Sequence, residues 1–199
     1  MNKVVLRGTI NNIVPSHKIK DIEYYKAEIT VKRNDGKEDI LGVRFKRFSC
    51  NYKNGDQVCI VSNARSYSTR IDDSKNHVEL YFFTYFDEPD DTNEFQNYFE
   101  IDGRICKKDT LYTNQNGKHS IHFVLANNLI SSNGKKINSY LPCVAVGKTA
   151  REIDSLNIGD KIVCKGECHS RYYKKCKDND YEIMVAHELF VKEIERDAE

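Results

Sequence analysis

Apolar and polar positions alternate with a period of two over most of this chain. Ala27, Ile29 and Val31 are interleaved with Lys26, Glu28, Thr30 and Lys32. Ile162, Cys164 and Cys168 alternate in the same way with Lys161, Val163, Lys165 and Glu167. Side chains two apart lie on one face of a strand, so this pattern predicts half-buried β-strands. Polar, glycine-containing turns separate them: Asn34-Asp35-Gly36-Lys37, Asn54-Gly55-Asp56, Asn116-Gly117-Lys118 and Asn133-Gly134-Lys135. One segment departs from the period. Thr149–Leu156 places Ala150, Ile153 and Leu156 on one helical face and predicts a short helix.

The pattern is written twice. Val5-Leu6-Arg7-Gly8-Thr9-Ile10 recurs as Glu100-Ile101-Asp102-Gly103-Arg104-Ile105. Asn54-Gly55-Asp56-Gln57-Val58-Cys59-Ile60 recurs as Ile158-Gly159-Asp160-Lys161-Ile162-Val163-Cys164. Arg65-Ser66-Tyr67 echoes in His169-Ser170-Arg171, and the closing strand Val78–Phe83 is aligned with Glu182–His187. Four landmarks in one order mark a tandem duplication. Between the copies, Asp87-Glu88-Pro89-Asp90-Asp91-Thr92-Asn93-Glu94 has no apolar period and reads as a linker. The expected organisation is a first unit at 1–86, an acidic linker at 87–96, a second unit at 97–191 and a short charged tail at 192–199. Each unit, of roughly ninety to a hundred residues, suits a small closed barrel of five strands. A helix between the third and fourth strands is the OB-fold arrangement, and Thr149–Leu156 falls there. The expected class is all-β: two tandem OB-fold five-stranded barrels, each with at most one short helix.

Composition narrows the function. The chain has 199 residues, with 31 basic and 30 acidic side chains and a formal charge of +1, so any basic surface must be local. The linker and tail conceal a mildly basic body: residues 1–86 carry 15 basic and 10 acidic side chains. No apolar run is long enough to span a membrane, and the first residues meet a charge before a signal-peptide core could form. Seven cysteines, an odd number, scatter through apolar alternation as small hydrophobes, which suggests a reduced, cytoplasmic protein. Cys164, Cys168, His169 and Cys176 could ligate zinc, but they lack the C-x2-C knuckle, and no metal or other cofactor is expected. No phosphate loop, paired metal-binding carboxylates or H-E-x-x-H motif is present, so no enzymatic function is expected. His122 and His187, set in apolar strands, are expected to be satisfied core histidines.

The second unit resembles bacterial single-stranded DNA-binding protein. The likeness is carried by Phe99–Ile105, Tyr140-Leu141-Pro142-Cys143-Val144-Ala145-Val146-Gly147-Lys148-Thr149-Ala150-Arg151, Ile158–Gly166 and Ser170-Arg171-Tyr172-Tyr173. It covers about residues 2–86 and 97–191, the first copy being more diverged. The resemblance implies sequence-independent binding of single-stranded DNA in replication, repair, recombination or mobile-element transfer. It also implies a homodimer giving four barrels, with replication or recombination proteins as partners. Such binding needs aromatic faces for unpaired bases and a basic groove for phosphates. Tyr140 and Tyr173 match the family's aromatic positions, with Tyr172 adjacent to the latter. Val146 stands where the family often has another aromatic, and the chain has no Trp.

Basic residues cluster around these positions. Lys161, Lys165, Arg171, Lys174, Lys175 and Lys177 oppose only Glu167 over residues 161–177. Arg171, Lys174 and Lys175 should lie on the hairpin between the last two strands, an element that grips oligonucleotides in OB-folds. Lys148 and Arg151 begin the helix; Arg104 belongs to the Phe99–Ile105 motif, and Lys107, Lys108 and Tyr112 follow the first strand of the unit. In the first copy, Arg65, Tyr67 and Arg70 occupy the equivalent hairpin, and Arg33, Arg44, Phe45, Lys46 and Arg47 add basic and aromatic groups. A duplicated barrel could instead serve as a protein-interaction module of a replication or transfer complex. The near-neutral charge and absent Trp favour that alternative; the tyrosines and clustered lysines favour DNA.

Overall fold

The computed structural model describes the chain except residues 34, 48–50, 71–75, 88–96, 131–133, 178–179 and 197–199, and the side chains at 69–70, 76–77, 85–87, 175, 177 and 180. Five strands form the first half: β1 (Asn2–Ile19), β2 (Ile22–Lys32), β3 (Glu38–Lys46), β4 (Gln57–Arg70) and β5 (Asn76–Asp87). The second contains β6 (Asn97–Lys108), the two-residue β7 (Tyr112–Thr113), β8 (His119–Ile130), β9 (Lys136–Val146), α1 (Gly147–Asp154), β10 (Lys161–Lys177) and β11 (Asp180–Arg196). Each half closes on itself. β1 pairs with β2 and β4, while β3 and β5 close the ring in parallel; β6, β8, β9, β11 and β10 repeat this, with β9 and β11 parallel. These are two OB-fold barrels of five principal strands.

The duplicated glycine turns have one geometry in both copies. Gly55 and Gly159 adopt φ 91° and 100°, a region open to glycine and costly for other residues. Their N–H groups donate to Ile10 O at 2.8 Å and Ile105 O at 2.7 Å. Ile10 and Ile105 donate in return to Asp56 O and Asp160 O, each at 3.0 Å. The barrel bottoms differ. In the second, Ala150, Ile153 and Leu156 of the α1 segment are buried, and Lys108 Nζ donates to the Asp154 and Leu156 carbonyls, both at 2.5 Å. In the first, Tyr52 from the loop after β3 packs edge-on against Phe45, with ring centroids 5.3 Å apart.

The halves share one continuous sheet. β1 pairs antiparallel with β6, from Asn2↔Ile101 to Leu6↔Asn97. Each fourth–fifth-strand hairpin then leans on the other barrel. Ser66 Oγ accepts the Tyr140 N–H at 2.7 Å, and Ser170 Oγ accepts the Ile40 N–H at 3.1 Å. Both amides lie on free strand edges, ahead of the parallel pairings that begin at Cys143 and Val43.

Several expectations change. Parallel pairing sets Val43 opposite Phe82 and Cys143 opposite Leu189, so Phe82 corresponds to Leu189 and the closing strands align three residues later than the sequence alignment had them. Residues 192–196, expected in a tail, continue β11. His122 is exposed rather than in the core, because it lies on the outer face of β8. The expected linker falls almost wholly among residues outside those described.

Candidate nucleic-acid interface

Strand register brings four side chains into a row across the outer face of the second barrel. Tyr140 on β9 is opposite Ala126 on β8, Ala126 is opposite Arg104 on β6, and Arg104 is opposite Lys161 on β10. With strands about 4.8 Å apart, the row spans roughly 14 Å. Tyr140 is 52% exposed. Arg104 donates through Nη1 to Gly159 O at 2.8 Å, which holds its guanidinium against the turn while the side chain stays exposed. A depression lined by Arg104, Ala126, Asn128 and Lys161 follows the row. Lys161 was visible in the sequence only as one lysine of a cluster; its register opposite Arg104 gives it this place.

The same face continues along β9 through Pro142 and Val144 to Val146. Val146 is opposite Ser120, which in turn faces Tyr112 on β7. Tyr112 and Val146 are exposed. Val146 lies six residue steps beyond Tyr140, about 20 Å of strand. The surface therefore has an aromatic at each end and cations along one side, with Ala126 and Pro142 between them and His122, opposite the buried Val144, exposed on the same face. Lys107 lies 4.0 Å from Asp109, Lys148 lies 3.2 Å from Glu152 on the helix, and Arg151 is exposed. Lys108, by contrast, is used in holding the C-terminal end of α1.

On the β10–β11 hairpin the adjacent tyrosines separate. Tyr172 is exposed, whereas Tyr173 is half-buried on the opposite face, with the Arg171 guanidinium 6.0 Å from its ring centre. Arg171 also lies 3.7 Å from Glu188. Lys174 Nζ sits 4.3 Å above the Tyr181 ring. Lys175 has its backbone in β10, and its side chain lies outside those described.

The matching row of the first barrel is Ile40–Thr30–Thr9–Gln57, with neither an aromatic nor a charge. Gln57 Nε2 donates to Thr9 Oγ1 at 2.6 Å. Cations and rings gather farther along. Arg44 lies 4.0 Å above Tyr81 and 3.2 Å from Glu79, and Arg65 lies 4.1 Å above Phe83. His17 and Tyr24 stack with centroids 4.6 Å apart, a pairing with no sequence signal because 17 and 24 meet only across the β1–β2 hairpin. Tyr67 is exposed; the Arg70 side chain lies outside those described. Phe45 is buried in the core and is no surface group.

Arg33 is a correction to the expected surface. Its Nε and Nη2 donate to the carboxylate of Asp39, whose side chain is fully buried, and Nη2 also lies 3.5 Å from Ser170 O. The Ser170 N–H donates to Asp39 at 2.6 Å. Burial alone would raise the Asp39 pKa, but hydrogen bonds from Arg33 and the Ser170 amide outweigh it and hold the carboxyl below its ordinary range. Arg33 therefore braces the junction between barrels.

The zinc-type residues do not converge. Cys164 and Cys168 are buried, while His169 turns to the other face and stacks on Phe190 at 4.7 Å. Among the described residues no group of three or more His, Cys, Asp and Glu side chains is arranged to hold a metal ion, and no helix is long and apolar enough to cross a membrane.

No family model and no curated protein matches this sequence. Solved structures do. The wild-type single-stranded DNA-binding protein from Thermus aquaticus superposes with a TM-score of 0.73 at 14% identity, over 100% of this chain and 94% of that one. The chain has that protein's fold. A deletion mutant of the Thermus aquaticus single-stranded DNA-binding protein gives a TM-score of 0.72 at 15% identity, over 100% of this chain and 95% of the other. Both of its barrels are thus matched in their mutual arrangement, not one barrel alone.

Proposed function

We propose that this protein binds single-stranded DNA without reading its sequence, as a non-enzymatic cytoplasmic protein that covers exposed strands in replication, repair, recombination or mobile-element transfer. The observation that carries this reading is the Tyr140–Ala126–Arg104–Lys161 row and its continuation to Val146 and Tyr112. An exposed phenol ring can stack on any unpaired base, because every base has a π-face, and each such contact is worth about 1–3 kcal/mol. Arg104 and Lys161 supply positive charge beside the bases, where a backbone of phosphates would run. Ala126 and Pro142, between the rings, carry no side-chain hydrogen-bonding group with which to read base edges, which favours sequence tolerance. A homodimer of four barrels and protein partners in strand exchange or replication belong to the same proposal.

The test is fluorescence anisotropy of a labelled thymidine oligomer of about 30 nucleotides, titrated at several salt concentrations, with duplex of equal length as control. The reading requires a marked preference for the single strand and a log–log salt slope near −0.7 per phosphate contacted. Tyr140→Ala should weaken binding roughly 5- to 150-fold without altering the melting temperature. Absence of any single-strand preference at low salt would transfer the function to a protein-interaction module.

A further inference from the structure

Tyr140 sits where β9 has one neighbouring strand instead of two. β9 pairs with β8 from Lys136 to Val146, but its parallel pairing with β11 begins only at Cys143. In an antiparallel pair, alternate residues turn both backbone groups toward the partner strand and the residues between them turn both away. The Tyr140 N–H reaches Ser66 and so points away from β8, and Pro142 has the same parity. Proline has no N–H, so Tyr140 carries the last outward amide before β9 meets β11. A backbone held on one side opens more readily than one held on both, and the position of the ring follows from that backbone.

The first barrel supplies a second hold, and it does so through β4. Ser66 Oγ accepts the Tyr140 N–H at 2.7 Å. Two residues earlier, Ala64 exchanges two hydrogen bonds with the Asn2 side chain, each of 2.8 Å, and Asn2 Nδ2 also donates to Asn127 Oδ1 at 2.8 Å. Asn127 is buried beside Ala126 and donates in turn to Asp102 O at 2.7 Å, next to the Tyr140–Ala126–Arg104–Lys161 row. The opposite junction is built differently. Asn97 makes the same two bonds to Cys168, each of 2.7 Å, but Val31 stands where Asn127 would be. There the free edge of β3 is locked from several sides. Ser170 Oγ accepts the Ile40 N–H, Asp39 accepts the Ser170 N–H, and the His187 ring nitrogens lie 3.0 Å from the carbonyl oxygens of Ile40 and Leu80. Ser66 is opposite Leu80 as Ser170 is opposite His187, so a leucine, which donates no side-chain hydrogen bond, takes the place of His187 beside β9. The heavier lock thus holds the edge that presents Ile40, and a serine hydroxyl holds the edge that presents the tyrosine.

We infer that Ser66 is a positioning residue for the second barrel's stacking surface: a hydroxyl of the first barrel fixes the Tyr140 backbone, so the ring meets a base at full strength only while the two barrels are docked. Ser66 acts through the Tyr140 amide and contacts no nucleic acid in this role. The edge is ordered before a base arrives, and preorganisation of this kind raises affinity without adding a contact. The first barrel therefore contributes to binding on the second whether or not it holds a strand itself. The inference rests on the single-strand reading proposed above.

The test compares Ser66→Thr with Ser66→Val in the full chain, two side chains of nearly equal shape of which only the first keeps a hydroxyl. Circular dichroism checks that both are folded, and Ser66→Ala, which adds no bulk, should behave as Ser66→Val does. On a labelled thymidine oligomer of about 30 nucleotides, Ser66→Thr should bind as the wild type does and Ser66→Val roughly 2- to 10-fold more weakly, the worth of one net hydrogen bond. The salt slope should be the same in both, because no cation is removed. In a Tyr140→Ala background the difference between the two should vanish. Without nucleic acid, amide hydrogen exchange at residue 140 should quicken in Ser66→Val and not in Ser66→Thr. Equal affinity of the two folded variants would overturn the inference, as would a difference that persists in the Tyr140→Ala background or an unchanged exchange rate at residue 140. If the wild-type chain shows no preference for the single strand, the functional reading fails and the inference falls with it. That failure is seen in the wild type alone, whereas failure of the inference by itself is seen only between the variants of a chain that binds.

Discussion

Asp39→Asn should destabilise the protein by about 2–4 kcal/mol at pH 7. The carboxylate side chain has no solvent exposure and receives Arg33 Nε, Arg33 Nη2, the Ser170 N–H and the Ser170 hydroxyl. Breaking a fully buried ion pair costs about 3–5 kcal/mol, because the partner charge is stranded. Arg33 keeps 21% of its side-chain exposure and so recovers some hydration, which lowers the expected cost. The amide is nearly isosteric, so no cavity term is added, but it presents an N–H2 where one of the four donors now points. Urea denaturation followed by far-ultraviolet circular dichroism and tyrosine fluorescence measures the loss. Because Ser170 belongs to the other barrel, the two probes should separate in the variant if the junction couples the barrels. In a double-mutant cycle, Asp39→Asn with Arg33→Gln should cost clearly less than the sum of the single changes. The pH dependence supplies a further check. Asp39 is held below its ordinary value of 3.8, so the unfolded chain binds more protons in the acid range. Its stabilisation is complete well above 3.8, begins to fall as pH drops below that value and is lost as pH falls through the lower folded-state pKa, so the gap between wild type and variant should narrow over that range. A loss below about 0.5 kcal/mol at pH 7, or full additivity with Arg33→Gln, would refute the assignment.

Three other outcomes follow from separate features. A Cβ at Gly166 would lie 2.0 Å from Phe190 O, so Gly166→Ala must displace β11 and should cost at least about 1–3 kcal/mol in chemical denaturation; a neutral effect would mean that the β10–β11 bulge is not held closely. Burial, followed by the nearby Arg33 charge, lowers the His169 pKa from 6.5. The unfolded chain therefore takes up a proton first, stability falls as pH drops below 6.5, and His169→Phe should remove that part of the slope in melting temperature against pH. Lys161→Gln should reduce the magnitude of the salt slope for single-strand binding by about 0.7 if this residue neutralises one phosphate, and an unchanged slope would remove it from the path.

The duplication was readable because its landmarks are backbone requirements. A glycine turn at Gly55 or Gly159 cannot drift without breaking the same pair of hydrogen bonds to Ile10 or Ile105, so the signature survives divergence. The short helix was readable from its apolar spacing. The closing strands were displaced by three residues because no turn or glycine pins them; their register follows from parallel pairing with β3 and β9, which leaves no local trace. Arg33 looked like surface charge beside a turn because the burial of Asp39 is created by β10, more than a hundred residues away. Adjacent strand residues such as Tyr172 and Tyr173 must face opposite ways, but which face is open depends on how the hairpin lies against the first barrel. Lys161 became a member of the Tyr140 row only when four strands were in register.

The β1–β6 seam has a consequence for concentration. Two separate barrels joined by such a strand pairing would come apart on dilution, and their stability would depend on how much protein was present. Here both edges belong to one polymer, and tethering keeps each at a high local concentration for the other. The seam thus survives scarcity. Fusion also releases the halves from sameness: a substitution in a symmetric pair of identical chains alters both copies, whereas this chain can keep Tyr140 on one sheet and Ile40 at the matching place on the other.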